Sequence, residues 1–249
     1  TGNGGGAVYS NGSTLELADV EFDGNSSGYY GGTLMLDSCD LTLKNTQIQN
    51  SSGGTGGAIY SGSGSVSATG LTLKNNTSTM NGVIYLSGNT VKLTDVTASA
   101  NTAINGGVVY ASAGSVVAVK EAEFASNSAN IGGVFYIGGG EVELSDTKLS
   151  NNKATVGNGG AVYVDASKLT ISGNVEFAGN TAVYYGGAIA AFEKTDSQTQ
   201  VNTPCVITVN DATFSGNSGA SGGAVYVSGS EYTITKTGFT NNTATNEKY

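Results

Sequence analysis

The chain of 249 residues contains no histidine, no tryptophan and no arginine, and its ten cations are all lysine. Set against 19 acidic residues, this leaves a net charge of -9. Clusters of Lys and Arg are what engage a nucleic-acid backbone, so nucleic acid is not an expected partner. Only two cysteines occur, Cys39 and Cys205. With no His partner and no metal-ligand spacing they imply neither a metal site nor a cofactor. Proline occurs once, at Pro204. No apolar run approaches the roughly 18 residues that cross a membrane as a helix, and no helical period of useful length is present. The chain opens in Thr1-Gly2-Asn3-Gly4, without a signal peptide.

Two short words repeat along the chain. Gly5-Gly6-Ala7-Val8-Tyr9 returns at Gly56-Gly57, Gly159-Gly160, Gly186-Gly187 and Gly222-Gly223, with looser copies at Gly31, Asn81, Gly106 and Gly132. The second residues of the nine copies are 26, 25, 25, 25, 26, 27, 27 and 36 positions apart. The second word is Phe-x-x-Asn: Phe22 with Asn25, Phe124 with Asn127, Phe177 with Asn180, Phe214 with Asn217 and Phe239 with Asn242. Weaker copies end at Asn50, Asn76, Asn101 and Asn152. A near-constant step in the twenties is the mark of a solenoid.

Each repeat reads as three short strands joined by turns. Alternation about the first word points Val8, Leu34, Ile59, Ile84, Val109, Phe135, Val162, Ile189 and Val225 inward. It points the small residue before each of them outward, together with the residue after. The second strand alternates, as in Leu15-Glu16-Leu17 and Val142-Glu143-Leu144, and a bend follows at Asp19, Asn45, Asp95, Glu121, Asp146 or Asp211. The third strand carries the Phe inward. Strands of one coil pair with those of the next, which predicts a right-handed, single-stranded parallel β-helix of about nine coils of about 25–27 residues. It forms one domain over 1–249, with a polar loop inserted at about 192–204 and inferred to belong to a longer chain. The two cysteines, six coils apart at about 4.8 Å per coil, cannot form a disulfide.

Three columns carry their own arguments. The Asn column is expected to satisfy backbone groups at a buried corner and to bond from coil to coil. Asn25 and Asn50, both in sequons, should therefore face inward and be poor glycan acceptors. The Gly-Gly pairs permit a sharp turn and close approach of coils. The outward column Tyr9, Tyr60, Tyr85, Tyr110, Tyr136, Tyr163 and Tyr226 is either a stabilising aromatic ladder or a platform for protein or carbohydrate.

Catalysis is not expected. Glycoside hydrolysis needs two carboxylates roughly 5 to 9.5 Å apart. The pairs Glu121 with Glu123 and Glu141 with Glu143, read as neighbours on one strand face, lack a supporting cluster.

Five GGA words and five FxxN words in register, spread over essentially the whole chain, resemble the repeats of the polymorphic membrane proteins of chlamydiae. The resemblance implies a secreted β-helical passenger at the cell surface, carried by an outer-membrane autotransporter barrel and acting as an adhesin. Gly5-Gly6-Ala7-Val8, Gly222-Gly223-Ala224-Val225, Phe22 with Asn25 and Phe214 with Asn217 correspond to the words linked to adhesion there. The partners so implied are a host or neighbouring-cell surface protein or glycan. The alternative is a structural subunit of a filament or surface layer, whose partners are copies of itself end to end.

Overall fold

A computed structural model describes residues 4–245. Thr1 to Asn3 and residues 246–249 lie outside them. Among the described residues there is no helix. The chain is a β-solenoid of nine coils, built from three nine-stranded and one eight-stranded parallel sheets. Nine levels at about 4.8 Å make a stack roughly 38 Å tall.

The sixth coil shows the plan. Phe135–Gly138 lies in the first sheet, Glu141–Ser145 in the second, Lys148–Ser150 in the third and Lys153–Ala154 in the fourth. Each pairs with its equivalent one coil away, so Phe135 sits beside Val162 and Tyr136 beside Tyr163. Three strands per coil are therefore four. The fourth, after the Asn, reads as a turn because its inward residues are small: Gly53, Ser78, Ala103, Ala129 and Ala154 are buried but add little hydropathy.

Inside, the columns are apolar. Leu34, Ile59, Val109, Phe135, Val162 and Ile189 are fully buried, as are Phe124, Phe177 and Phe214. Phe177 and Phe214 stack with centroids 4.7 Å apart, and Phe214 and Phe239 at 4.9 Å, although Phe239, in the last coil with no coil above it among the described residues, is exposed. Phe22, in the first coil, is partly buried against the same core.

The small residue of each Gly-Gly word was expected outside, yet Thr33, Ala58, Val83, Val108, Val134, Ala161 and Ala188 are fully buried. Strand alternation does not reach them. The first glycine turns the chain with positive φ (67° at Gly159) and the strand begins only after the small residue, at Val162. Gly160 cannot carry a side chain either, because a Cβ there would run into the carbonyl of Gly187 one coil away. The pairs at Gly5-Gly6, Gly56-Gly57, Gly186-Gly187 and Gly222-Gly223 follow the same pattern.

The Asn column forms a ladder. Each Asn N–H and side-chain amide donates to the amide oxygen of the Asn above it: Asn101 to Asn127 at 3.0 Å by both routes, and Asn180 to Asn217 at 2.9 and 3.0 Å. The same amide also donates to the carbonyl beside the inward column one coil below, as Asn127 does to Ala98 at 3.0 Å. No buried polar side-chain atom among the described residues lacks a partner. The ladder ends at Asn242, which accepts from Asn217.

Two expectations for this column need correction. In the second coil the rung is Ser51, whose N–H donates to Asn76, while Asn50 is exposed and donates to Asp23 at 2.7 Å. The left-handed residue is not the ladder Asn but the one before it: Asn50, Asn75, Ala100, Ser126, Asn151 and Asn241 all have positive φ. Because that residue turns the corner, the next one points in. Asn25, facing the Ser51 rung, is only half-buried.

The remaining corners are equally regular. Asp19, Asn45, Asp95, Glu121, Asp146 and Asp211 make the bend after the second strand with positive φ, a conformation that the short polar side chains of the five Asp and Asn residues suit. Glu121 therefore lies at a corner and Glu123 on the next sheet, so the two are not a pair on one strand. Glu141 and Glu143 do share a strand face. Cys39 and Cys205 are free and buried. They occupy a corner position that four other coils fill with serine (Ser13, Ser115, Ser167 and Ser230): Cys39 bonds the carbonyl two residues back at 3.2 Å, as Ser167 does at 2.6 Å. The inserted segment starts later than expected. Phe192 ends a first-sheet strand, and Lys194–Thr195 pairs antiparallel with Asn202–Thr203.

Candidate functional site

The Tyr column stands on the outer face of the first sheet, where the register Tyr60–Tyr85–Tyr110–Tyr136–Tyr163 is unbroken. Consecutive ring centroids are 5.0, 5.4, 4.8 and 4.9 Å apart, with interplanar angles of 6°, 8°, 15° and 30°. Each ring covers its neighbour, so solvent meets a row of ring edges and phenol hydroxyls. A sugar stacks on an open ring face, and the inner rings offer none. The hydroxyls hydrogen-bond to no other protein atom among the described residues.

Two predicted members stand apart. Tyr9 lies beside Met35, is exposed, and has no ring partner among the described residues. Tyr226 is separated from Tyr163 by Ala190. The column is nonetheless continuous, through residues the repeat reading missed. Phe192, two residues past Ala190, bridges Tyr163 at 5.7 Å and Tyr226 at 5.4 Å. Tyr185 stacks on Tyr226 at 4.4 Å, and Tyr30 leans on Tyr60 at 4.8 Å. A signal was present in the chain. Tyr-Tyr precedes Gly-Gly only at Tyr29-Tyr30 and Tyr184-Tyr185, directly before the two words whose own column residues, Met35 and Ala190, are not tyrosine.

Beside the column, the corner leading into the first sheet forms an apolar ridge. Eight of the 14 exposed large hydrophobic side chains among the described residues lie here, including Tyr29, Met80, Ile104, Val156, Val183 and Tyr184. Charge is almost absent from this side: Asp37, Asp165 and Lys153 are the only charged residues in the strands of the first and fourth sheets. Most of the other charges lie on the second and third sheets and on the bend between them, where Lys44 meets Glu16 at 2.6 Å and Lys168 meets Glu141 at 3.5 Å.

Asp165 marks the edge of the face. Burial pushes its carboxyl up, opposed by Lys194 at 3.7 Å from the inserted segment. Burial, with the Asp165 charge added, pushes the Tyr163 phenol up to about 12. Tyr60, Tyr110 and Tyr136 are raised as well, by burial first and then by neighbouring phenols and carboxylates. The rings are therefore neutral across the physiological range.

Residues 174–191 and 211–228 match the family model of the Chlamydia polymorphic membrane protein repeat. Both stretches run from the Phe strand through the ladder Asn and the Gly-Gly corner into the first sheet. These two stretches are thus similar to repeats of the polymorphic membrane protein type. No curated protein and no solved structure matches the chain.

Proposed function

We propose that the chain is an extracellular β-helix displayed at a cell surface, acting in adhesion through the aromatic side of its first sheet. The observation that carries this reading is the side's composition: stacked tyrosines and an exposed apolar ridge, nearly free of charge, on an otherwise acidic rod. Contiguous exposed apolar patches rimmed by polar residues accompany partner binding. Tyrosine supplies rigid contact area with little rotamer entropy to lose. The repeat match supports the surface location, since the matched family is one of Chlamydia membrane proteins. Stacked rings favour a protein partner over a glycan. The test is binding of the fluorescently labelled chain to a panel of intact cells, with the Tyr85→Ser, Tyr110→Ser, Tyr136→Ser triple variant alongside. Binding should be saturable and fall at least tenfold in the triple variant, with its β-sheet circular dichroism retained. Loss of folding without prior loss of binding in the single variants would reduce the column to a stabilising ladder. Absence of binding to any cell, with fibres seen by electron microscopy, would favour the structural-subunit alternative.

A further inference from the structure

Resting on that reading, we infer that the partner which fits the aromatic side best is a second copy of the same chain, laid rod against rod. The first argument is pitch. The phenols repeat at 4.8 to 5.4 Å along the rod, the spacing set by strand stacking. A matching row of groups at that interval over five rungs is offered by another parallel β-solenoid, and not by a helix with its 5.4 Å turn and rotating side chains. The second is chemistry. A phenol hydroxyl both donates and accepts, so two identical rows satisfy each other. These hydroxyls have no partner within the described residues.

The third argument is charge. A chain of net charge -9 repels its copy, yet most of the charges stand on the second and third sheets. When the aromatic sides meet, those sheets point away, separated by more than the screening length of about 8 Å at physiological salt. The fourth is area. The continuous column from Tyr30 to Tyr226 spans roughly 34 Å at the strand-stacking interval, and the four-residue strands of the first sheet with two corner residues beside them, at about 3.3 Å per residue, make the side about 20 Å wide. Two such sides would bury on the order of 1,400 Å², within the range of stable specific interfaces. The contact is isologous, the same side on both copies, so it closes as a dimer.

Sedimentation equilibrium of the chain from 1 to 100 µM tests this. The weight-average mass should rise from 24.8 kDa toward twice that value and stop there, with little change between 0.05 and 0.5 M NaCl. Met80→Lys with Ile104→Lys places like charges in the contact at two exposed sites. It should weaken association at least 30-fold at an unchanged melting temperature. Tyr85→Phe, Tyr110→Phe, Tyr136→Phe keeps the stack and removes the hydroxyls, and should weaken association about tenfold. A monomer at 100 µM, association abolished by 0.5 M salt, growth past the dimer, or indifference of either variant would overturn the inference. Beads coated with the chain separate this from the adhesion reading. Beads that clump with one another support it. Beads that stay dispersed yet bind cells lacking the chain refute the self-association and leave adhesion standing, and beads that do neither refute both.

Discussion

The side-chain amide of Asn127 donates to the amide oxygen of Asn152 at 3.1 Å, and the Asn127 N–H donates to the same oxygen at 3.0 Å. Repeated from coil to coil, this relationship closes the corner between the third and fourth sheets. Replacing Asn127 by Ala would strand the backbone N–H and one side-chain N–H of Asn101 and remove a donor from the carbonyl of Ala98 in a dry corner, while the Asn101 amide keeps its bond to the Leu73 carbonyl. Each orphaned buried group costs about 1–3 kcal/mol. A loss of about 3–5 kcal/mol in urea unfolding is expected for Asn127→Ala. Asn50→Ala, at the exposed position that sequence reading mistook for a rung, should cost about 1 kcal/mol or less.

The ladder has one natural gap. Ser51 stands in the second coil and its hydroxyl contacts that of Thr33 at 2.7 Å, both buried. The fourth to sixth coils pair an Asn rung with Val83, Val108 and Val134 at the position of Thr33. Thr33→Val with Ser51→Asn should therefore extend the ladder toward Asn25 and stabilise by about 1 kcal/mol. Ser51→Asn alone leaves the buried Thr33 hydroxyl without its partner and should destabilise, whereas after Thr33→Val alone Ser51 keeps its bond to the Gln49 carbonyl at 3.2 Å and little should change. A double-mutant cycle in chemical denaturation reads the coupling.

Repetition alone would recommend Ala190→Tyr as a repair of the column. The space above Ala190 is already filled, since Phe192 and Tyr185 close the gap and Ala190 is fully buried. The added ring should overpack and lower stability by about 1–3 kcal/mol. Combining it with Phe192→Ser should restore most of the loss. Thermal melts of the two variants check the order.

The glycines of the corner words separate into two kinds. A Cβ at Gly160 would overlap the carbonyl of Gly187 and approach the backbone of Thr181, whereas one at Gly216 meets nothing within 4 Å. Gly216 has φ 64°, so Gly216→Ala carries a backbone penalty of about 1 kcal/mol. Gly160→Ala must push coils apart and should prevent cooperative folding altogether. Near-ultraviolet circular dichroism and urea unfolding distinguish the two.

Alkaline pH should destabilise the fold through the column. Tyr163 is raised to about 12, and Tyr60, Tyr110 and Tyr136 are raised in the same direction. In the unfolded chain a phenol ionises near pH 10. Between about pH 10 and 12 the unfolded state has lost protons that the folded state keeps, so stability falls as pH rises and is full below pH 10. Phenolate absorbance at 295 nm should lag for these four rings and appear together with unfolding. Asp165→Asn, by removing a neighbouring negative charge, should bring the Tyr163 transition to lower pH.

The sequence by itself determined the solenoid, its nine coils, the inward columns and the outward tyrosines. A fixed step with period-two alternation admits few other folds, and identical positions must stack once strands pair parallel and in register. Tertiary structure alone decided what happens at the corners. There, alternation stops at each left-handed residue, so Ala161 turned inward, Asn50 turned outward and Ser51 became the rung. It also decided the continuity of the aromatic side. Tyr30, Tyr185 and Phe192 lie off the repeat position and join the column only because the chain folds back beside itself, a distance relation that spacing along the sequence does not encode.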